Sequence, residues 1–210
     1  MEINKISNNM LERVPLYLNY IKSLPRDVKN ISATKIANAL GFGEVLVRKD
    51  LAQVSGEGRC KLGYPCEKLI CDIEEFLDIK SKMDAVLVGN GDLLQVMLGY
   101  EDFEKAGLNL IAAVDVNCSK RYSCGDKIIY PLKKIEDLFE ENPVSIAVLM
   151  NMDKNEQKVC DKLISLGINA IWNFTSAYLA VPEDVIVQNE SITASITKLR
   201  LNLKERRDAI

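Results

Sequence analysis

Residues 85–88 (AVLV) form a short uninterrupted apolar run that ends on Gly89-Asn90-Gly91 and leads into an apolar stretch of helical period reaching about residue 106. A run without polar alternation is what a strand needs when helices cover both its faces, because neither side then meets water. The pattern repeats. Residues 110–114 (LIAAV) close on Asp115, residues 128–130, 145–150 and 170–172 read as further strands, and helices are expected over residues 132–141 and 153–166. Strands alternating with helices of this length predict a parallel sheet. Residues 84–189 are therefore expected to form a Rossmann-type unit, and the chain belongs to the α/β class.

Such a unit holds a dinucleotide by bringing backbone close to the pyrophosphate at a helix N-terminus, with an acid at the end of the second strand for the adenine ribose hydroxyls. Gly89 and Gly91 occupy the first two glycine positions, and Asp115 stands 24 residues beyond Gly91. Asn90, Asp92 and Leu93 complete the loop expected to meet a cofactor. The third glycine position holds Leu94, whose side chain must push the helix outward or be absorbed by smaller neighbours. Asp92 places a charge where pyrophosphate would lie, although the helix dipole favours such a carboxylate. A scaffold that has lost its ligand is the competing reading.

Residues 1–80 follow another pattern. A helix is expected from about Pro15, with Val14, Leu16, Leu18, Ile21 and Leu24 apolar, because proline is tolerated in a first turn. Ser32 precedes ATKIANAL as an N-cap and Gly41 ends that helix, whose apolar face is assigned to Ile36, Ala39 and Leu40. Residues 44–54 form the next helix, with Val45, Val47, Leu51 and Val54 inward and Arg48 and Lys49 outward. Two helices joined by a short glycine turn, the second with exposed cations, make a helix-turn-helix pattern. Residues 55–64 (SGEGRCKLGY) suit a wing carrying Arg59 and Lys61, or else a flexible surface loop. A further helix runs from Pro65 to about residue 79, and residues 80–84 link the two parts.

Charge is unevenly spread along the chain as well. Residues 1–70 hold eleven Lys and Arg against seven Asp and Glu, a net of +4, while the remaining 140 carry 16 against 23, a net of −7. A basic segment on an acidic body points to an anionic partner, nucleic acid first. The chain has no histidine, which removes Ser-His and Cys-His catalysis and histidine-bearing zinc sites. No catalytic and no metal-ligating residues are assigned. Cys60, Cys66, Cys71, Cys118, Cys124 and Cys160 lack C-x-x-C spacing and read as cytosolic packing thiols. Thiol sensing at Cys60, activated by Arg59 and Lys61, is a subsidiary reading. Residues 1–10 do not resemble a signal peptide and no apolar run is long enough to span a membrane, so the expected location is the cytoplasm.

The last segment, residues 190–210, repeats Ile192, Ile196, Leu199 and Leu203 at helical spacing, with Lys198, Lys204 and Arg206 on the other side. Its stripe must cover something, its own sheet or a second subunit.

The strings RVPLYLNYIKSL, VRKDL, LGY, LVGNGDLL, LIAAVDVN, IYPL and IWNF, in this order along nearly the whole chain, resemble the Rex family of redox-sensing transcriptional repressors. The resemblance implies a homodimer that grips palindromic operator DNA through winged helices (residues 1–80), releases it when NADH binds in competition with NAD⁺ (residues 84–189), and swaps its last helix between subunits (residues 190–210). It places Arg48 and Lys49 on the recognition helix, Arg59 and Lys61 in the wing, Gly89 and Gly91 at the pyrophosphate, Asp115 at the adenine ribose, and Tyr100 in the helix after the glycine loop near the domain contact. Departures occur at Leu94, at Met150, Asn151 and Met152 on the nicotinamide side, at Phe174, Thr175 and Ser176, and at Cys60. Asn19 and Ser191 stand where the family's switching contacts carry an Arg and an Asp; losing both together strands no buried charge. Two alternatives stay open: a paralogue that no longer senses NADH and serves as a DNA-binding or interaction module, and a dinucleotide-dependent oxidoreductase, which has no Tyr-x-x-x-Lys pair and leaves the winged helix unexplained.

Overall fold

The computed structural model describes residues 7–59, 62–150, 152 and 155–208, and the chain divides into two compact units, Met1–Ser81 and Lys82–Ile210. In the first unit, α1 (Asn8–Lys22), β1 (Asn30–Ile31), α2 (Ala33–Leu40), α3 (Glu44–Ser55), β2 (Tyr64–Pro65) and α4 (Cys66–Phe76) follow in order. The two short strands pair antiparallel, Ile31 opposite Tyr64. Helices, turn and strand pair together make a winged helix. Its core joins Val14, Tyr17 and Ile21 of α1 to Ile36 of α2, Val47 and Leu51 of α3, and Leu69 and Ile73 of α4.

The first helix starts earlier than its proline suggests. Ser7 caps it by accepting a hydrogen bond from the Met10 N–H at 3.3 Å, so Pro15 lies in the helix interior. A proline there removes one ladder bond, at a cost of roughly 3 kcal/mol. The buried stripe Met10, Val14, Tyr17, Leu18 and Ile21 runs straight through it and offsets that loss, since each large apolar group removed from water contributes about 2 kcal/mol. Three inward assignments are corrected by the same geometry. Leu16, Ala39 and Val45 are exposed, and each stands two positions from a residue at the core, Val14, Ala37 or Val47. At about 100° per residue, two positions turn a side chain to the far face of a helix. The Ser32 cap and the Gly41 stop of α2 are found as expected, with the Lys35 N–H donating to Ser32 Oγ at 3.1 Å and Gly41 left-handed at φ 72°.

The second unit is built on β3 (Met83–Gly89), α5 (Gly91–Leu98), α6 (Asp102–Lys105), β4 (Leu108–Asp115), β5 (Tyr122–Cys124), β6 (Lys127–Pro131), a 3-10 turn (Leu132–Lys134), α7 (Ile135–Glu141), β7 (Ile146–Leu149), α8 (Glu156–Ser165), β8 (Ala170–Asn173), β9 (Ile186–Asn189) and α9 (Ile192–Asp208). The sheet runs β5-β6-β4-β3-β7-β8-β9 and is parallel except at β5, which pairs antiparallel with β6. Leaving out that edge strand, the order is that of the doubly wound dinucleotide-binding fold, with its switch point between β3 and β7. The uninterrupted AVLV run is explained by its two neighbours: Val86 and Val88 enter the core with Val159 and Leu163 of α8, while Ala85 and Leu87 enter the one with Leu94 and Leu98 of α5.

The helix expected to reach residue 106 stops at Leu98, because Gly99 ends it and α6 begins separately at Asp102. Strands β5 and β9 were not anticipated from the sequence. In α9 every described residue is exposed, with Ile192 at 69% and Leu199 at 69%. Ser191 caps this helix by accepting from the Ala194 N–H at 3.1 Å, a service that the small hydroxyl performs as well as a carboxylate would.

Candidate functional site

In the first unit, α3 presents Arg48 and Lys49 to solvent, and both line one cleft with Arg59 of the segment after it. That segment is a tight hairpin. Arg59 and Gly63 exchange two backbone hydrogen bonds of 2.9 Å, and the turn continues directly into β2. Two of its glycines are obligatory. Gly63 has φ 75°, and a Cβ on it would lie 2.3 Å from the Ile31 carbonyl oxygen. A Cβ on Gly58 would press to 2.8 Å against the ring of Tyr64, which is itself buried. The described residues 58, 59 and 62–64 of this string therefore form the base of a wing closed against β1 and not a loose loop. Lys61 and Cys60 lie outside the described residues.

Helix α3 is held by a group that the sequence pattern alone does not single out. Asp50, directly after Lys49, is buried, and its carboxylate accepts from Arg13 Nε at 2.8 Å, Arg13 Nη2 at 3.0 Å and the Tyr17 hydroxyl at 2.8 Å. This clamp ties α3 to α1. Burial, reinforced by the Asp50 bond, pushes the Tyr17 hydroxyl up to about 12, and the Asp50 bond raises Arg13 further, so the guanidinium stays charged at every ordinary pH. An acid on the helix face that also carries Val47, Leu51 and Val54 is the available signal, but only its partners on α1 give it meaning. Arg48 itself pairs with Glu44 one turn earlier.

In the second unit the glycine loop stands at the C-terminal ends of β3 and β4. Gly89 and Asp115 are register partners, so the loop and the acid sit side by side. The two glycines are required for different reasons. A Cβ on Gly89 would approach the Met150 carbonyl oxygen to 2.4 Å, because β7 closes against β3 there. Gly91 has φ 68° with open space around it, so backbone conformation alone demands glycine. Leu94 is absorbed: it is 1% exposed and packs with Leu98, Ala113 and Val148, reaching to 3.4 Å from where a Gly89 Cβ would be. Asp92 and Leu93 are exposed in the first turn of α5, and Asn90 is the N-cap residue.

Asp115 is buried, and its carboxylate accepts from the Asn117 N–H at 2.9 Å and the Tyr122 hydroxyl at 3.1 Å. Burial first, then that bond, pushes the Tyr122 hydroxyl up to about 12, so Tyr122 is a donor to Asp115 and never a charge beside it. These two donors fix the carboxylate at the crevice while leaving it the capacity to accept from ribose hydroxyls. Immediately beyond Asp115, Val116 and Asn117 open into a cleft that continues to Leu132, Met152 and Val159 and carries Lys133, Lys158 and Lys162 as well. The residues present therefore fit a dinucleotide: a left-handed glycine opening a helix, an acid beside it, and next to the acid a cleft lined by apolar and cationic side chains. Tyr100 is not brought to them. It follows the C-terminal end of α5, about 12 Å of helix from Gly91, half exposed and edge-on to Phe103 at 5.8 Å. Asn151 lies outside the described residues.

Among the described thiols, burial pushes Cys66, Cys118 and Cys160 up, the last to about 11, which is the opposite of activation. Among the described residues no cluster of His, Cys, Asp or Glu could hold a metal ion, and no helix is long and apolar enough to cross a membrane.

Residues 5–52 match the family model described as a putative DNA-binding protein N-terminus, and residues 80–177 match the CoA binding domain model. The redox-sensing transcriptional repressor Rex of Thermoanaerobacter pseudethanolicus is 31% identical over 96% of this chain and 91% of its own length. That of Clostridioides difficile is 34% identical over 95% of this chain and 96% of its own. Among solved structures, RSP, a Rex-family repressor, in complex with NAD⁺ and operator DNA superposes with a TM-score of 0.84 at 30% identity, covering 96% of this chain and 94% of RSP; its complex with NADH gives 0.83 at 29% identity, covering 97% and 96%. With winged helix and dinucleotide fold joined in the same order over nearly the whole length, the chain belongs to the Rex family of redox-sensing transcriptional repressors.

Proposed function

We propose that this chain is a cytoplasmic, homodimeric, DNA-binding transcriptional repressor that reads the NADH/NAD⁺ balance through its second unit and releases a palindromic operator when NADH binds. The observation that carries the reading is the convergence of Arg48, Lys49 and Arg59 on one exposed cleft beside a glycine-braced wing. In a dimer, two copies of α3 would enter successive major grooves, with Arg48 and Lys49 facing base edges and phosphates, and Arg59 and Lys61 following the adjacent backbone. Residues 1–80 thus serve as the DNA-binding domain, 84–189 as the nucleotide-binding domain and 190–210 as the dimerisation helix. The exposed apolar stripe of α9 supports that last assignment.

In the second unit, Asp115 would accept hydrogen bonds from the adenine ribose hydroxyls, and Gly89 to Leu93 would lie along the pyrophosphate. The bound nicotinamide supplies no chemistry to a reaction here; its redox state is the signal. Asp115 and the glycine loop transmit that signal to the DNA only if they bind the nucleotide unequally in the two dimer conformations. The placement of Tyr100 beyond α5 suits a role in that dimer conformation more than direct contact with the nucleotide of its own subunit.

The test is a fluorescence titration of a labelled palindromic operator with the full chain, repeated with NADH and NAD⁺. Arg48→Ala should abolish operator binding at moderate salt, and NADH should release wild-type protein where NAD⁺ does not. Operator binding by Arg48→Ala equal to wild type would overturn the DNA assignment, and binding indifferent to NADH would leave the second unit as a scaffold.

A further inference from the structure

Arg59 lines a second groove of the first unit as well as the cleft beside α3. This groove runs from the end of α1 along the loop into β1, and Lys22, Arg26, Lys29 and Glu67 line it. Lys22 is engaged by Glu74 at 2.7 Å. Among the described residues no carboxylate stands within ion-pair distance of Arg26, Lys29 or Arg59, and Arg26 and Lys29 are exposed. Glu67 is the acid lining the groove, and it sits in the first turn of α4, where the helix dipole offsets its charge.

These cations are mounted on rigid backbone. The Val28 N–H donates to the Pro25 carbonyl at 3.0 Å, closing the turn that carries Arg26. The Lys29 carbonyl accepts from the Cys66 N–H at 2.9 Å, and the next residue enters the β1–β2 ladder that also carries the wing. Lys29 and Arg59 are thus fixed to one strand pair. Each strand of a duplex carries one negative charge per ~3.4 Å of axis, so a backbone strand reaching Arg59 meets further phosphates within the span of a few side chains.

We infer that this second groove takes the phosphodiester backbone of bound duplex DNA where it runs on past the wing, with Arg26 and Lys29 each contacting a phosphate. The inference rests on the DNA-binding reading of the first unit and adds a sequence-independent contact row to it, separate from the base-facing cations of α3.

The experiment measures affinity of the full chain against salt, on operator and on scrambled duplex, for wild type, Arg26→Ala/Lys29→Ala, Arg48→Ala and Glu67→Lys. The double variant should lower the slope of log affinity against log salt by about 2 and weaken both duplexes by the same factor. Arg48→Ala should reduce the preference for operator over scrambled sequence. Glu67→Lys adds a cation to the same groove and should steepen the slope by about 1, which keeps the inference testable if the double variant folds poorly. A slope unchanged in both groove variants, with Arg48→Ala still losing operator preference, overturns the groove and leaves the DNA reading standing. If Arg48→Ala is also without effect, the DNA reading itself fails.

Discussion

Two buried aspartates, one in each unit, show how differently the two halves of this chain use a carboxylate. Around Asp50, a guanidinium takes both oxygens and a phenol takes one again, so the charge is answered inside the protein. Around Asp115, the described donors are neutral, a backbone N–H and the Tyr122 hydroxyl, so the charge is oriented but not neutralised. The first arrangement is complete without a ligand and fixes α3 against α1. The second leaves acceptor capacity open at the edge of a crevice, as the proposed contact with the adenine ribose requires. The contrast is between a carboxylate answered by a cation and one held by neutral donors alone.

The sharpest way to break this contrast is to remove each carboxylate. Asp50→Ala strands the Arg13 guanidinium and should destabilise the first unit by about 3 kcal/mol in urea unfolding, with operator binding lost alongside. Asp115→Asn should leave the unfolding midpoint nearly unchanged while weakening NADH at least about tenfold by calorimetry, the loss of one charged hydrogen-bond acceptor. Should the two variants swap phenotypes, the contrast is wrong.

Leu94→Ala probes the same boundary from the apolar side. Because Leu94 is fully packed under α5, truncation should cost about 3 kcal/mol of stability while changing NADH affinity far less than Asp115→Asn does. Alkaline pH tests the clamp. The folded Tyr17 titrates near 12 against an ordinary value of 10.0, so its stabilisation is complete below pH 10 and is lost as pH rises to 12. Tyr17→Phe should flatten that part of the stability profile. The smallest effect is expected from Glu44→Gln, which frees Arg48 from an exposed pair worth about 0.5 kcal/mol and should tighten operator binding about twofold.

What the sequence disclosed follows from how local each signal is. The AVLV run, the Ser32 and Gly41 caps and the Gly89–Gly91 turn are written in consecutive residues, and all were legible. Pro15 misled because a tertiary stripe overrode its local preference, and Val45 because a two-residue spacing belongs to strands and not to helices. Strand β9 is largely exposed, and its short β-branched run at residues 185–187 sits between polar residues, so it did not stand out as a buried strand does. The Asp50 clamp was illegible because its partners lie 33 and 37 residues away. At Leu94 the sequence posed a choice between displacement and absorption, and the small neighbours Gly89 and Ala113 decided it.

The close approach of the Met150 carbonyl to Gly89 separates ancestry from present activity. A descendant that had ceased to take up any dinucleotide would still have to keep the first glycine, since its sheet could not close otherwise. The second glycine is surrounded by empty space, but its left-handed backbone keeps it with or without a ligand. On the proposed reading, drift at position 115 is thus the change among relatives of this chain that would accompany a lost redox response, while positions 89 and 91 would remain silent.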